Sequence, residues 1–193
     1  MEIKTIGVIG AGQMGNGIAQ VSAAAGFNVI MNDISQEFCQ RGLDTIGNSL
    51  GRLVKKEKIT TDDQKAILGR IKLSTDVADM AEADFVVEAA TERVDLKLDI
   101  FRKLDEICKP GVVLSSNTSS ISITKIAGAT KRPELVIGMH FMNPVPMMKL
   151  VEIIRGLATS DEVFELTVEL SKKMGKIPVP ANDYPGFIAN RIL

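Results

Sequence analysis

The sequence predicts an α/β protein built on a doubly wound, mostly parallel sheet with helices on both faces. Two observations favour this fold. Short runs with strand character alternate with longer segments of helical periodicity along the 193 residues. The run DFVVEAA (84–90) is largely apolar at odd and even positions alike, which is typical of a parallel strand buried on both faces.

Composition and charge exclude several classes of protein. With 45% hydrophobic and 24% charged residues, the chain is expected to be globular. No apolar stretch approaches the roughly 18 residues that cross a bilayer, and a net charge of −1 gives no general attraction to nucleic acid. The chain enters a strand pattern at once, so we expect no signal peptide and a cytoplasmic location. Cys39 and Cys108 have no nearby Cys or His partner, so we expect two reduced thiols and no metal site.

The first forty residues combine a strand, a glycine turn, a helix and a second strand. Residues 6–9 form a short β-branched strand that ends at Gly10; a helix follows over 14–25 with Gly26 as its stop; and 27–31 form a second buried strand. A glycine-rich turn between a strand and a helix is the context that the dinucleotide-binding fingerprint requires. The fold class is therefore expected to be Rossmann-type.

Each glycine of GAGQMG (10–15) has a physical role in such a site. Gly10 permits the tight turn, Gly12 lets backbone N–H groups approach a pyrophosphate, and Gly15 lets the helix pack closely on the strand. The helix N-terminus favours the negative charge. We assign cofactor binding to Gly10, Gly12, Gln13, Met14 and Gly15.

Asp33 closes the second strand, about where a carboxylate accepts hydrogen bonds from both hydroxyls of an adenosine ribose. Residues 34–36 are Ile, Ser and Gln, with no arginine to receive a 2′-phosphate. This favours NAD over NADP, although NADP use stays open if the pocket beside Asp33 is roomy.

The remaining chain continues the alternation. Helices are predicted over 35–58, from Thr60 or Thr61 to about 68, over 94–108 and over 161–174. Strands are predicted over 71–76, 84–90, 111–117, 135–141, 149–155 and 176–180. Repeated strand–helix units imply right-handed crossovers.

Polar residues collect where the predicted strands end. In an open α/β sheet the ligand crevice lies at the carboxyl ends of the strands. The residues at these ends are Asp33, Glu88, Glu92, 115–120 and 140–143, which include the only histidine, His140.

Five stretches carry a resemblance to a known family. They are VIGAGQMGNGIAQVSAAAG, EAATERVDLKLDIFRKLDEI, LSSNTSSISIT, GMHFMNPVPMMKLVEII and DYPGFIANRIL, and together they span essentially the whole chain. They resemble the 3-hydroxyacyl-CoA dehydrogenase family, and more closely its bacterial 3-hydroxybutyryl-CoA dehydrogenase members. GxGxMG is shared with other hydroxyacid dehydrogenases, whereas NTSS, HFxNPVPxMKLVE and PGFxxNR in that order are highly specific.

The resemblance implies site residues. His140 is expected to be the acid/base, Glu152 to hold its imidazole, and Ser119 and Asn190 to hydrogen-bond the reacting oxygen. The dinucleotide is expected to contact Glu92, Lys97, Ser119 and Asn143, and the acyl-CoA substrate to contact Ser49, Lys56 and Ser119.

The residue types suit that chemistry. An imidazole of ordinary pKa about 6.5 exchanges a proton in both directions near neutral pH, and an adjacent carboxylate fixes its tautomer. Glu152 lies in the apolar run LVEII, so it is either buried with a partner or outward-facing on an edge strand; we expect burial. Three of these residues have an alternative without a catalytic or binding role. Ser119 could lie in a plain loop that carries a helix cap, Asn190 could simply be exposed to solvent, and Lys56 could belong to an ordinary solvated helix end.

The resemblance also bears on domain organisation. We expect residues 1–185 to form the NAD-binding domain and 186–193 to open an all-helical C-terminal dimerisation domain whose remainder is missing. Pro185 and Gly186 mark the expected helix start, with Phe187, Ile188, Ile192 and Leu193 mostly on one side. A homodimer is expected for the longer protein, and this chain alone is expected to bind NADH but to turn over slowly.

The expected function is hydride transfer between NAD(H) and C3 of a short-chain (S)-3-hydroxyacyl-CoA, such as 3-hydroxybutyryl-CoA, in fatty acid or butanoate metabolism. One alternative is a β-hydroxyacid dehydrogenase of the 6-phosphogluconate type, which uses a lysine as acid/base. The other is a non-catalytic NAD-binding structural or sensor protein on the same fold.

Overall fold

The computed structural model describes residues 2–192, which form one eight-stranded sheet. Its strands are β1 (Thr5–Ile9), β2 (Asn28–Asn32), β3 (Ile71–Ser74), β4 (Phe85–Glu88), β5 (Val113–Ser116), β6 (Val136–Phe141), β7 (Leu150–Arg155) and β8 (Ile177–Asn182). The order across the sheet is β3-β2-β1-β4-β5-β6-β7-β8. The strand order therefore reverses between β1 and β4, which is the topological switch point where such folds bind nucleotides.

The pairing is parallel from β3 to β6, but β7 runs antiparallel to β6. β8 runs parallel to β7 and takes the edge of the sheet. The start of β7 is therefore at the same end of the sheet as the carboxyl ends of β1 to β6. The mostly parallel, doubly wound sheet predicted from the sequence is confirmed.

Within the described residues six helices lie between the strands and a seventh follows β8. They are α1 (Gln13–Ala24), α2 (Gln36–Lys55), α3 (Thr61–Gly69), α4 (Val94–Ile107), α5 (Ile123–Ala127), α6 (Asp161–Lys173) and α7 (Ala189–Ile192). Side-chain caps explain several starts: Ser35 accepts from the Phe38 amide, and Thr60 forms a capping box with Asp63. Thr60, rather than Thr61, is thus the cap of α3.

Helices cover both faces of the sheet. Alternate strand residues point to opposite faces, so Val87 belongs to the core cluster that includes residues of α1, α2, α3 and α6, whereas Val86 belongs to the cluster that includes residues of α4 and α5. Every residue of β4 is buried, because both faces are covered.

Two features of the chain differ from the sequence-based prediction. The short helix α5 and the 3-10 turns Val77–Glu82 and Pro133–Leu135 were not predicted, since such short elements show too few helical repeats to be recognised. The last helix begins at Ala189 rather than at Pro185, because Gly186 (φ 76°) and Phe187 (φ 43°) have left-handed backbone conformations.

The apolar face predicted for that last helix is also different. Phe187 is 2% exposed and packs into the domain, so it does not lie on an uncovered face. The predictions for the side chain of Ile192 and for Leu193 fall outside what the structure describes.

Candidate active site

The turn between β1 and α1 lines a cavity of about 960 Å³. A Cβ on Gly10 (φ 98°) would lie 2.8 Å from the Ala89 carbonyl oxygen, and one on Gly15 would lie 1.8 Å from the Gly10 carbonyl oxygen. Gly12 is the N-cap of α1; it faces open space, and no side chain of the described residues caps the helix there. Free first-turn N–H groups beside a cavity suit an anionic group such as a pyrophosphate. Gln13 lines the same cavity, and Met14 a smaller one beside it.

Asp33 is held rigidly at the same cavity. Its Oδ2 accepts from the Ala11 amide at 2.7 Å and its Oδ1 from the Ile34 amide at 2.7 Å. A carboxylate has about four acceptor sites, so both oxygens retain capacity for ribose hydroxyls. The glycine turn, the cavity and this carboxylate together fit a dinucleotide.

Arg41 is a cavity residue that the sequence analysis missed. It projects from α2 into the wall that also contains Asp33, with its Cζ 4.7 Å from the centroid of the Phe38 ring. Lys103 of α4 lines the same cavity. The absence of arginine at 34–36 therefore does not by itself exclude a cationic partner for a 2′-phosphate. Arg41 lines the same cavity as Asp33, and an arginine near that carboxylate is the kind of residue that accommodates a 2′-phosphate.

Lys97 is 1% exposed and forms an ion pair with Glu88, which is fully buried. Its Nζ also donates to Ser116 Oγ at 3.3 Å. Glu88 Oε1 in turn accepts from the Ala90 amide at 2.9 Å. The pair therefore supports the loop after β4, which packs on Gly10. The direct cofactor contact of Lys97 stays a prediction, and the role of Glu88 as its partner had not been assigned.

Glu92 fastens the loop after β5. Its Oε2 accepts from Thr118 Oγ1 at 2.7 Å and its Oε1 from the Ser119 amide at 3.0 Å. The Ser119 carbonyl accepts from Asn190 Nδ2 at 3.3 Å. The structure thus brings Glu92, Ser119 and Asn190 together, and it is Ser119, not Ser120, that adjoins Asn190. The loop 115–122 does carry a helix cap, at Ser122, so the alternative of a plain loop with a cap stays open for Ser119 and its contact with the reacting oxygen stays a prediction.

His140 and Glu152 are direct partners across β6 and β7. The distance from Nδ1 to Oε2 is 2.7 Å, and the two residues are 7% and 1% exposed. The pairing confirms the expected burial of Glu152 with a partner. Because a carboxylate only accepts, Nδ1 carries the proton. Within residues 2–192, Nε2 has no hydrogen-bond partner and no buried polar side-chain atom lacks one, so Nε2 reaches the surface.

The second oxygen of Glu152 binds the end of the chain. Oε1 accepts from the Ile188 and Ala189 amides, each at 2.9 Å. The ring centroid of Phe187 lies 5.9 Å from that of His140, with an interplanar angle of 53°. Phe187 was not predicted to be a site residue, although it lies inside the PGFxxNR motif.

Asn143 lies exposed in the turn after β6. The following loop is fastened by Lys176, whose buried Nζ donates to the carbonyls of Val145 and, at 2.8 Å, Met148. Burial lowers the pKa of Lys176. The structure places Asn143 at the end of the strand that carries His140, and its cofactor contact stays a prediction.

Ser49 and Lys56 lie outside the cavity. Ser49 is half-buried on α2 and Lys56 is exposed at its C-cap. Thr45, which lines the cavity, precedes Ser49 by one turn on the same face of the helix. The two residues therefore extend a line from the cavity towards solvent, and their contact with coenzyme A stays a prediction.

The expected free thiols are confirmed, since Cys39 and Cys108 are both free and buried. Burial raises the pKa of Cys108 to about 11. Among residues 2–192 no cluster of His, Cys, Asp and Glu suits a metal ion. None of the helices in that range has the length and apolar character of a transmembrane span.

Comparison with known proteins identifies relatives of the whole chain. The model of the family described as 3-hydroxyacyl-CoA dehydrogenase, NAD binding domain, matches residues 5–184. A probable 3-hydroxybutyryl-CoA dehydrogenase of Deinococcus radiodurans is 54% identical over 97% of the chain, and one of Bacillus subtilis is 51% identical over 100% of it. The chain spans 67% of the length of each, so it matches about two thirds of these relatives.

The crystal structure of (S)-3-hydroxybutyryl-CoA dehydrogenase from Ralstonia eutropha has the same architecture. It matches 99% of this chain and 68% of its own, with a TM-score of 0.97 and 52% sequence identity.

Proposed function

Since the chain belongs to the 3-hydroxyacyl-CoA dehydrogenase family and contains its NAD-binding domain, we propose that it catalyses hydride transfer at C3 of a short-chain (S)-3-hydroxyacyl-CoA. The substrates are then 3-hydroxybutyryl-CoA and, in the reverse direction, acetoacetyl-CoA. The relatives at 51–54% identity carry 3-hydroxybutyryl-CoA in their names, which supports the short chain. NAD, when bound, accepts or supplies the hydride.

One observation carries the chemistry: His140 Nδ1 lies 2.7 Å from Glu152 Oε2 at the strand ends that also bear the glycine turn. Glu152 holds Nδ1 in its protonated form, so Nε2 takes a proton from the C3 hydroxyl or returns one to the C3 oxygen. The carboxylate stabilises the imidazolium that forms, as in a Ser-His-Asp triad. Such acid/base catalysis typically contributes 10²–10⁴ in rate, or about 3–5 kcal/mol.

Ser119 and Asn190 act on the same oxygen in this proposal. Asn190 already lies against the Ser119 backbone, and an amide nitrogen has a second N–H to offer. Hydrogen bonds to an oxygen whose charge changes during the reaction stabilise its transition state. Glu92 supports this arrangement by holding the Ser119 loop.

The lysine-dependent alternative has little structural support among the described residues. The buried lysines Lys97 and Lys176 both have their Nζ bound, one to Glu88 and the other to backbone carbonyls. The non-catalytic alternative differs in turnover, because such a protein binds NADH without oxidising it.

The test is to mix the chain with NADH and acetoacetyl-CoA and to follow the loss of NADH absorbance. We expect turnover that decreases by about 10²–10⁴ in His140→Ala, with unchanged NADH binding. NADH binding without turnover would favour the non-catalytic protein, and a His140→Ala variant within about threefold of the unaltered chain would favour another acid/base. Acyl chains of increasing length test the short-chain preference.

Domain organisation and homodimerisation belong to the same proposal and rest on the family resemblance, whereas the cytoplasmic location is an expectation from the sequence. Sedimentation of this chain and of a longer family member tests the dimer. The dimer proposal predicts a two-chain particle for the longer protein.

A further inference from the structure

The segment from Gly186 to Ala189 has an unusual backbone. Gly186 has a φ of 76° and Phe187 a φ of 43°. Glycine adopts this region readily, but for a bulky residue such as phenylalanine it is an outlier that costs free energy. Such strain persists only where surrounding contacts determine the conformation, so the contacts of Phe187 are informative.

The side chain of Phe187 is buried, whereas its neighbours are not. Phe187 is 2% exposed, compared with 59% for Tyr184 and 40% for Ile188. Its ring belongs to the core cluster on the α4 and α5 face and lies 5.9 Å from the His140 ring in a tilted arrangement. That separation is within the range of a favourable aromatic contact.

The amides that follow Phe187 contact the other member of the pair. Ile188 and Ala189 both donate to Glu152 Oε1 at 2.9 Å, while Oε2 faces His140 Nδ1. Charge-assisted hydrogen bonds of this kind restrict the direction of a carboxylate. Both oxygens of Glu152 therefore have assigned partners, and an aromatic ring lies beside the imidazole in a tilted arrangement.

From these contacts we infer that Phe187 is a positioning residue for the His140–Glu152 pair. Its left-handed conformation places the ring beside the imidazole and directs the next two amides at Glu152. The ring excludes water from the hydrogen bond between the two side chains, and the amides hold the carboxylate so that Nδ1 stays protonated and Nε2 stays available. The effect on catalysis rests on the dehydrogenase function proposed above, whereas the effect on the tautomer does not.

The single histidine permits a direct test, because ¹⁵N-labelled imidazole gives one set of ring signals. The spectra are recorded at about pH 9, where a histidine of ordinary pKa is neutral. We expect the unaltered chain to show protonated Nδ1 and unprotonated Nε2. Phe187→Ala is expected to show a mixture of both tautomers, and Phe187→Leu, which keeps apolar bulk, to retain most of the Nδ1–H form. Tyr184→Ala removes a nearby exposed aromatic residue and is expected to resemble the unaltered chain.

Kinetics supply the second readout. We expect Phe187→Ala to lower kcat by about tenfold, part of the acid/base contribution, with KM for NADH within about twofold. Phe187→Gly removes the ring but relieves the backbone constraint, so it replaces the alanine variant if that variant does not fold. A single Nδ1–H tautomer in Phe187→Gly or Phe187→Ala would overturn the inference. If the unaltered chain lacks turnover, the dehydrogenase function fails and the tautomer measurement alone decides the role of Phe187.

Discussion

His140 and Glu152 face each other on the antiparallel strands β6 and β7, with Nδ1 of one 2.7 Å from Oε2 of the other. Neither side chain is more than 10% exposed, at 9% for the imidazole and 2% for the carboxylate. In this setting the carboxylate decides which ring nitrogen carries the proton. The relationship leads to the first prediction.

Glu152→Gln is expected to lower kcat by about 10²–10⁴ while NADH binding changes little. A glutamine amide offers N–H as well as oxygen to Nδ1, so the imidazole is no longer held in one tautomer. Steady-state kinetics with acetoacetyl-CoA check this result. Glu165→Gln, an exposed position on α6, is the matched control. A Glu152→Gln enzyme with more than about a tenth of the unaltered kcat would contradict the assigned role.

Asp33→Ser is expected to weaken NADH binding by about tenfold, the equivalent of losing about 1.5 kcal/mol of charge-assisted hydrogen bonding. The same variant is expected to bind NADPH better than the unaltered chain does, because Arg41 and Lys103 line the same cavity and a repelling carboxylate is gone. Fluorescence titration with each cofactor measures both effects. Asp44→Ser changes an exposed carboxylate of α2 and serves as the control.

The gain in NADPH binding has its own check. Adding Arg41→Ala to Asp33→Ser is expected to remove most of that gain. Arg41 and Asp33 line the same cavity, and a guanidinium there can bind a phosphate. If neither substitution changes the affinity for NADPH, the 2′-phosphate of the cofactor binds elsewhere.

Lys97→Met is expected to lower the free energy of unfolding by about 3–5 kcal/mol, because it leaves the buried charge of Glu88 without its partner. Combining it with Glu88→Gln removes that charge while keeping an acceptor for the Ala90 amide, so part of the loss is recovered. Urea unfolding measures each value. Lys103→Met on the exposed side of α4 is expected to change stability by less than about 0.5 kcal/mol. A Lys97→Met variant as stable as that control would show that the pair does not hold the loop.

Asp183 is expected to contribute to the free energy of unfolding in a way that depends on acid pH. Burial acts to raise the pKa of Asp183. Its carboxylate accepts three hydrogen bonds of 2.8 Å each, from Thr124, Ser122 and Ile123. These bonds outweigh the effect of burial, and the pKa lies below the usual value. A group with a depressed folded pKa stabilises the protein above its unfolded pKa and loses that contribution as the pH falls through the folded value.

We therefore expect Asp183→Asn to cost about 1–3 kcal/mol at neutral pH and progressively less below about pH 4, where the unaltered carboxyl also becomes protonated. Urea unfolding across this pH range gives the difference curve. Asp62→Asn, with a side chain 93% exposed, is expected to give a flat difference. If the loss of unfolding free energy in Asp183→Asn increases towards acid pH, the assigned pKa direction of Asp183 is contradicted.

Local patterns were sufficient to predict most of the fold. The turn was predicted from its glycines, because Gly10 needs a positive φ and a Cβ on Gly15 would lie 1.8 Å from the Gly10 carbonyl oxygen, a constraint between residues close in the chain. Strands and long helices were placed within about three residues of their observed bounds, since their periodicity extends over many positions. The helix expected at Pro185 begins later, because Gly186 and Phe187 take their conformation from tertiary contacts.

The sequence by itself determined the nucleotide-binding turn, the alternation of strands and helices, and which residue types were available for proton transfer. Tertiary structure alone decided that β7 reverses direction and pairs with β6 in the register that opposes His140 and Glu152. It also decided that the Lys97 ammonium is buried against Glu88 and that the Phe187 ring packs beside the imidazole. The physical reason is that these contacts join distant parts of the chain. Strand direction and packing set their geometry, and no local periodicity encodes either.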